Sequence, residues 1–447
     1  MFENLSPEIL TIIFISATIL GILTGYQLAP VCGAVGLFLG YLVIGAPVAR
    51  LIYQQIYGLL LTYPILALPL FVFMGSMLSR TGITDRLYDA LHLILGKFRG
   101  GLAVSTVLIG TVLAACLGVI TASVGMLTIV ALGAMVKRGY DKSLASGSIC
   151  AGGTLGILIP PSVMLVLWGP MAGLSVGKLF MAAFGPGFLL SFLYVAYIAI
   201  RSFLQPTIAP TAPIEELKKP IKIKLWKLLT SLVPVTVLIL SVLGAIFFGI
   251  APPTEAAGIG AVASIVLTMF YKEFSWQRLK DSLLETVQVT SFSMYIGAFA
   301  VAAVGVFMVI GCGQVTEQFI LNAPFGKWGG FAIIMFVAFI LGMFMDIIGI
   351  IFLIVPIVSP VVPLMGFDPI WFAIMLNVNL QMSFMTPPMA LAIFILKGVA
   401  DPELGVTTWD IIKGVVPFVA LVMVALGILI KFPQIIMWLP STMKQGW

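Results

Sequence analysis

Two stretches of the chain set helix-breaking residues beside a dense supply of oxygen ligands. One runs Ala151-Gly152-Gly153-Thr154-Leu155-Gly156-Ile157-Leu158-Ile159-Pro160-Pro161-Ser162. The other runs Asn377-Val378-Asn379-Leu380-Gln381-Met382-Ser383-Phe384-Met385-Thr386-Pro387-Pro388. Proline has no amide hydrogen and keeps the residue before it out of the helix, so carbonyls upstream of each Pro-Pro pair lose their donors. Glycine lets the backbone unwind and approach a ligand closely. Each stretch therefore predicts two half-helices, with carbonyls unpaired at one broken end and amides plus a positive dipole end at the other. Carbonyl and hydroxyl oxygens suit a hard cation such as Na+, and amide ends suit a carboxylate. Irregular backbone inside a membrane is tolerated only where it lines a cavity or is buried in protein. Pro160, Ser162, Asn379, Gln381 and Ser383, joined by Ser123, are accordingly the expected lining of a substrate cavity.

Two glycine-bounded segments carry the other candidates: Gly118-Val119-Ile120-Thr121-Ala122-Ser123-Val124-Gly125 and Gly342-Met343-Phe344-Met345-Asp346-Ile347-Ile348-Gly349. Asp346 is the most deeply embedded acid, and a buried carboxylate costs of order several kcal/mol unless it is paired or holds a cation. Glu255 reads differently. It follows Thr254 at the start of a span, where Thr can cap and Glu favours the helix dipole. The single histidine, His92, stands in a helical stretch among charged neighbours and offers no zinc set or catalytic triad. Cys32, Cys116, Cys150 and Cys312 lack metal or disulfide spacing and read as small packing residues.

These pieces recur at a fixed offset. Gly118 and Gly125 precede Gly139-Tyr140-Asp141, and eighteen residues lie between Asp141 and Pro160. Gly342 and Gly349 precede Gly366-Phe367-Asp368, and eighteen residues lie between Asp368 and Pro387. The offset is 224 at the glycines and 227 at the prolines, so the copies differ by a three-residue insertion. Paired Gly/Pro interruptions in corresponding halves of an apolar chain mark a transporter's binding site.

The elements that must position these residues are membrane spans. The chain is 61% hydrophobic and 9% charged, far too apolar for a water-soluble core. Apolar runs place ten spans near 8–26, 28–46, 64–79, 143–176, 179–203, 228–250, 255–271, 289–311, 368–396 and 410–432. Hairpin-like insertions fall at 100–136 and 328–363. The connection 204–227 holds Lys218, Lys219, Lys222, Lys224 and Lys227, which marks its side as cytoplasmic. Counting outward, Arg80, Arg86, Lys97, Arg99, Lys137, Arg138, Lys142, Lys272, Arg278, Lys280, Lys397 and Lys413 share that side. Arg50, Lys178, Lys327, Lys431 and Lys444 take the other, which puts both termini outside. The first insertion then enters from the cytoplasm and the second from outside, so the repeats are inverted. Parity alone leaves re-entrant hairpins and full crossings both open; the glycine-rich tips favour re-entry. Segments 80–98 and 272–286 mix charges with Leu, Tyr and Trp, and either lie along the cytoplasmic surface, bracing a scaffold, or form ordinary solvated loop helices. The N-terminus lacks a basic region of the kind a signal peptide needs. The net charge of +6 sits between spans and marks topology, not nucleic-acid binding.

The expected fold is an all-α polytopic membrane protein, about ten transmembrane helices plus two re-entrant hairpins. Residues 1–99 are N-terminal scaffold, 100–176 the first transport repeat, 177–327 further scaffold, 328–397 the inverted second repeat, and 398–447 a C-terminal helix and tail. An intramembrane enzyme is disfavoured: no HExxH occurs and no second acid stands beside Asp346. Inverted broken helices serve alternating access better than a steady pore.

The chain resembles the large membrane subunit of tripartite ATP-independent periplasmic (TRAP) transporters, the DctM-like permeases. The resemblance covers essentially the whole chain. Its most specific pieces are Lys137-Arg138-Gly139-Tyr140-Asp141, Gly153 through Ser162, Pro186-Gly187, and Pro253-Thr254-Glu255-Ala256-Ala257. It implies an elevator-type, sodium-coupled importer of a small organic acid in the bacterial inner membrane. The implied partners are a small four-helix membrane subunit, expected as a separate chain in a heterodimer, and a periplasmic substrate-binding protein. Two sodium sites are implied: Thr121, Ala122 and Ser123 with Gly152, Gly153, Thr154 and Gly156, and Met345, Asp346 and Gly349 with Met385, Thr386 and Pro387. Na+ is the only cofactor-like species expected. Many relatives have a Ser-Gly-Ser first tip where this chain has Thr121-Ala122-Ser123, a form that suggests the branch associated with oxo acids, mannitol-like and chloroaromatic compounds. A stand-alone sodium/anion symporter of the same superfamily, needing no binding protein, is the alternative.

Overall fold

A computed structural model describes residues 5–211 and 220–443, with the side chains of 115–117 and 221 set aside. Lys218, Lys219, Lys444 and the Cys116 side chain therefore lie outside what is described. The described residues form helices and connecting turns, with no strand among them. Among the described residues, seven helices are long and apolar enough to cross a membrane, or eight if Val48–Leu60 and Tyr63–Ser79, bent by 56°, make one span. Five of the seven fall on expected spans and two, 120–137 and 327–344, are arms of the insertions. Of the other expected spans, Pro7–Leu23 and Leu28–Ile44 are only 17 residues long, and 64–79 belongs to the bent pair. Both Pro-Pro spans are divided, into Lys142–Thr154 and Val163–Ala172 and into Pro369–Ser383 and Leu391–Val399.

Each insertion folds as a helical hairpin. Helices Gly101–Leu117 and 120–137 meet at Gly118, whose φ of +61° is the left-handed turn glycine permits; the second arm carries a π-turn at Thr128–Leu132. Helices Lys327–Phe344 and Ile347–Val358 meet at Met345-Asp346. The repeats then exchange partners. The first arm of each hairpin packs on the first half of its own broken helix. The second arm packs on the second half of the other repeat's broken helix: 120–127 on 391–399, and 347–358 on 163–172.

Two helices close around this body. Val176–Leu204 packs on 101–117 and 369–383, and Thr408–Lys431 packs on 142–154. Glycine lets backbones touch. A β-carbon on Gly110 would lie 2.6 Å from the Gly152 carbonyl oxygen, and one on Gly147 would strike the Gly414 carbonyl. The remaining helices, Pro7–Leu23, Leu28–Ile44, Val48–Leu60, Ala67–Ser79, Ile221–Phe247, Pro253–Phe270 and Trp276–Val309, pack on one another.

Segment 272–286 does not form a separate surface element. From Trp276 it runs straight into the next span as one 34-residue helix, about 50 Å long at 1.5 Å per residue. The helix that precedes the second hairpin as Ile83–Leu95 precedes the first is Cys312–Leu321. Segments assigned to one side by charge do meet. Gly100 N–H donates to Ala209 O, Asp141 N–H to Ile208 O, Lys142 Nζ to Gly405 O and Lys397 Nζ to Val406 O, while Arg86 pairs with Glu273 at 3.3 Å. Cys32, Cys150 and Cys312 are buried.

Candidate functional site

The first break begins where Lys142–Thr154 tightens into a 3-10 turn, Leu155–Ile157. Pro160 and Pro161 carry no N–H, so the carbonyls of Gly156 and Ile157 lose the donors four residues on. Ile157 O recovers two, from Ser162 Oγ at 2.7 Å and Asn377 Nδ2 at 3.2 Å. That carbonyl is thus spent on structure, which leaves Gly156 O as the one stripped of its helical donor. The first hairpin presses its turn onto this break. A β-carbon on Gly156 would lie 2.9 Å from Ser123 Oγ; one on Gly153, 3.0 Å from the Val124 amide nitrogen; one on Gly118, 3.2 Å from Val163 N. Ser123, Gly152, Gly153, Thr154 and Gly156 come together, all buried. Ala122 is half-buried and Thr121 is exposed, one residue outside the packed face.

The second break follows Ser383. Phe384 O, deprived of a donor by Pro388, accepts from Ala392 N at 3.1 Å, and Ser383 O accepts from Thr386 N at 3.1 Å. Both Pro-Pro bonds are cis. Asp346 caps helix Ile347–Val358, its Oδ2 accepting from Ile348 N at 3.3 Å. Met345 is buried, Thr386 half-buried and Pro387 exposed. Gly349 turns away from this break toward Leu28 of helix 28–44, so it does not stand where its repeat counterpart suggests. Met385 reaches the other break, 3.8 Å from Thr154 Oγ1.

The hydroxyls share one property. Ser123 donates to Val119 O at 3.1 Å, Thr154 to Ala151 O at 3.0 Å and Thr386 to Met382 O at 2.8 Å. Each spends its hydrogen on a backbone carbonyl and keeps its lone pairs for an electrophile. No three His, Cys, Asp or Glu side chains come together to hold a metal ion among the described residues; the oxygens at the first break are neutral, and Asp346 brings one carboxylate to the second hairpin's turn. Ser123, Pro160, Ser162, Asn379, Gln381 and Ser383 are all buried, so the cavity expected at these residues is not open to solvent. Asn379 Nδ2 donates to Met335 O at 2.8 Å, and a β-carbon on Gly342 would lie 2.8 Å from Ser383 Cβ, so these two residues face the second hairpin. Sequence reading missed Asn377. Its signal was present in the four-residue spacing to Gln381, which puts both on one helical face.

A family model described as the tripartite ATP-independent periplasmic transporter, DctM component, matches residues 12–435. The chain belongs to the DctM family. The C4-dicarboxylate TRAP transporter large permease protein DctM of Pseudomonas aeruginosa is 32% identical over 382 residues, spanning 85% of this chain and 86% of that protein. Its namesake in Vibrio cholerae is 30% identical over 420 residues, 89% of each. The sialic acid TRAP transporter permease protein SiaT of Haemophilus influenzae is 29% identical over 415 residues, covering 89% of this chain but 62% of its own length. The YdaH transporter of Alcanivorax borkumensis, whose crystal structure is described as revealing an unusual topology, superposes with a TM-score of 0.65 over 96% of this chain and 99% of that one. At 12% identity that likeness shows a shared fold alone. DctM-family members are transporter permease subunits rather than enzymes, and this chain is a multi-pass inner-membrane member. The family's tripartite organisation implies a small permease subunit and a substrate-binding protein as partners.

Proposed function

We propose that this chain is the sodium-coupled translocating subunit of a TRAP importer, moving a small organic acid inward after delivery by a periplasmic binding protein. One observation carries the sodium assignment: three hydroxyls at the two breaks, on Ser123, Thr154 and Thr386, each give their hydrogen to a backbone carbonyl and keep an oxygen available, beside the donor-stripped Gly156 carbonyl. Neutral oxygens in that number suit a weakly demanding hard cation. The acid class is supported by relatives named for C4-dicarboxylates, sialic acid and isethionate. The small subunit is a separate four-helix chain, in keeping with relatives called "large permease" that match this chain along 86–89% of their own length, against 62% for SiaT.

In this reading the mobile body holds both hairpins, both broken helices and the two helices packed on them, 176–204 and 408–431, the latter at backbone distance where Gly147 meets Gly414. It slides as an elevator against the remaining helices. The test is reconstitution with the small subunit and binding protein in proteoliposomes. Uptake should require an inward sodium gradient and rise more steeply than first order in sodium. Equal uptake driven by a pH gradient without sodium refutes the coupling; robust uptake by this chain alone refutes the obligate partnership.

A further inference from the structure

The helix Pro369–Ser383 carries two polar faces with different partners. Asn379 and Ser383 face the second hairpin. Asn377 and Gln381, four residues apart and so one turn apart on another face, look toward the first break. Asn377 Nδ2 donates to Ile157 O at 3.2 Å. Thr154 Oγ1 lies 3.8 Å from Met385 Sδ, and Cys150 Sγ donates to Ala392 O at 3.7 Å. Descending numbers (157, 154, 150) meet ascending ones (377, 385, 392), so the two breaks run antiparallel, held by a short ladder of contacts. Gln381 stands one helical turn past Asn377 on a helix that packs against the 3-10 turn Leu155–Ile157, which puts it on the face directed at that turn. Asn377 and Gln381 are both fully buried, yet Asn377 Oδ1 and both polar atoms of the Gln381 amide have no hydrogen-bond partner among the described residues.

We propose that this ladder couples the two ion sites, with Asn377 as the positioning residue that transmits the coupling and Gln381 as the amide that gives the ladder a second position. The inference rests on the reading of one sodium site at each break. The reasoning is geometric. A cation that draws the Gly156 carbonyl toward Ser123 also moves the adjacent Ile157 carbonyl, and Asn377 is bonded to that carbonyl. The second broken helix must follow or lose the bond. Gln381 faces the turn that moves and has donor and acceptor unspent, so a shifted turn finds a new partner at no cost in existing bonds. Coupling of this kind is reciprocal: each site tightens the other by the same factor. It also needs an element with two arrangements, which a spare amide beside a one-bond link supplies.

The experiment titrates sodium against the purified complex with its small subunit, reading the intrinsic fluorescence of Trp168, which lies just past the first break, and in parallel sodium-dependent uptake. The wild type should give a Hill coefficient clearly above 1. Asn377→Leu, and the smaller Asn377→Ala, neither of which can donate, should both bring it to about 1 while sodium binding persists at higher concentration. Should the leucine variant fail to fold, the alanine variant decides. A Hill coefficient unchanged in a folded variant, with only the half-saturating concentration moved, overturns the coupling and leaves two independent sites. A wild type with no sodium response at all overturns the sodium reading itself, and the coupling with it.

Discussion

Replacing Gln381 with methionine should make the protein more stable and less able to transport. Gln381 is fully buried, and neither Oε1 nor Nε2 finds a partner among the described residues. A buried amide left unpaired costs about 1–3 kcal/mol on the scale of protein mutational measurements. Methionine has nearly the same length and volume, loses a similar amount of rotamer freedom on burial, and asks for no hydrogen bonds. Gln381→Met should therefore recover about 1–3 kcal/mol, which for a chain of this size corresponds to a rise in melting temperature of roughly 1–3 °C. The same change removes the amide proposed to exchange partners, so uptake should fall at least several-fold. The assay is one preparation measured twice: thermal unfolding in detergent by tryptophan fluorescence, and uptake in proteoliposomes with equal protein content. A lower melting temperature would refute the argument, because it would mean the amide is well bonded. Higher stability with uptake intact would refute the functional half and leave Gln381 a packing residue.

Asp346→Asn keeps a side chain able to cap Ile347–Val358 but removes its charge. If Asp346 holds or screens sodium, half-saturating sodium should rise roughly 5- to 150-fold, equivalent to about 1–3 kcal/mol, with folded yield unchanged; a lower yield at an unaltered sodium requirement assigns it to structure alone. A β-carbon on Gly297 would lie 2.8 Å from Cζ of the buried Phe352 ring, so Gly297→Leu should slow uptake strongly while sodium-dependent fluorescence survives, and parallel loss of both signals would count against a sliding face there. Glu273 accepts hydrogen bonds from Arg278 and Arg86, Arg278 contributing most, which holds its carboxyl below the usual 4.5. A lowered folded pKa means the contribution is present above the unfolded value and is lost as pH falls through the folded one. The melting-temperature difference between wild type and Glu273→Gln should thus stay constant at neutral pH and vanish only in acid more extreme than pH 4.5; a difference already lost near pH 6 refutes this.

The breaks were legible in the sequence because proline and glycine act on their own backbone, whatever surrounds them. Pro161 strips Ile157 of its helical donor in any fold. What fills the gap is not local. Asn377 stands 220 residues away and reaches Ile157 only because helix 369–383 is rotated to present 377 and 381 to one neighbour and 379 and 383 to another. The sequence shows four polar residues at two-residue spacing and no reason to divide them. Gly349 misleads in a related way: it repeats Gly125 in the pattern, but its bare face receives Leu28 from outside the repeat. Segment 272–286 looks like a surface helix by composition. Whether such a segment bends at the membrane or runs on into it depends on its packing partners, here Arg80 and Ser76, which meet Glu285 at 2.9 and 2.6 Å.

The kinds of glycine contact distinguish which surfaces could move in the proposed elevator. Gly110 against Gly152, and Gly147 against Gly414, bring backbone onto backbone, with carbonyls seated where a side chain would be. Sliding one such helix past the other by a turn would drive carbonyls through the space of side chains and forfeit close packing along the whole seam. These pairs belong to one rigid unit. The contacts of the second hairpin with helices 28–44 and 276–309 differ in kind. There a side chain lies over a glycine: Leu28 on Gly349, and the Phe352 ring on Gly297. A ring on a flat patch can leave it by rotating about its own bonds, with no backbone in the way. The surface that slides should accordingly run along Gly349 and Gly297, and helix 408–431 should travel with the first broken helix, on whose Gly147 its Gly414 sits.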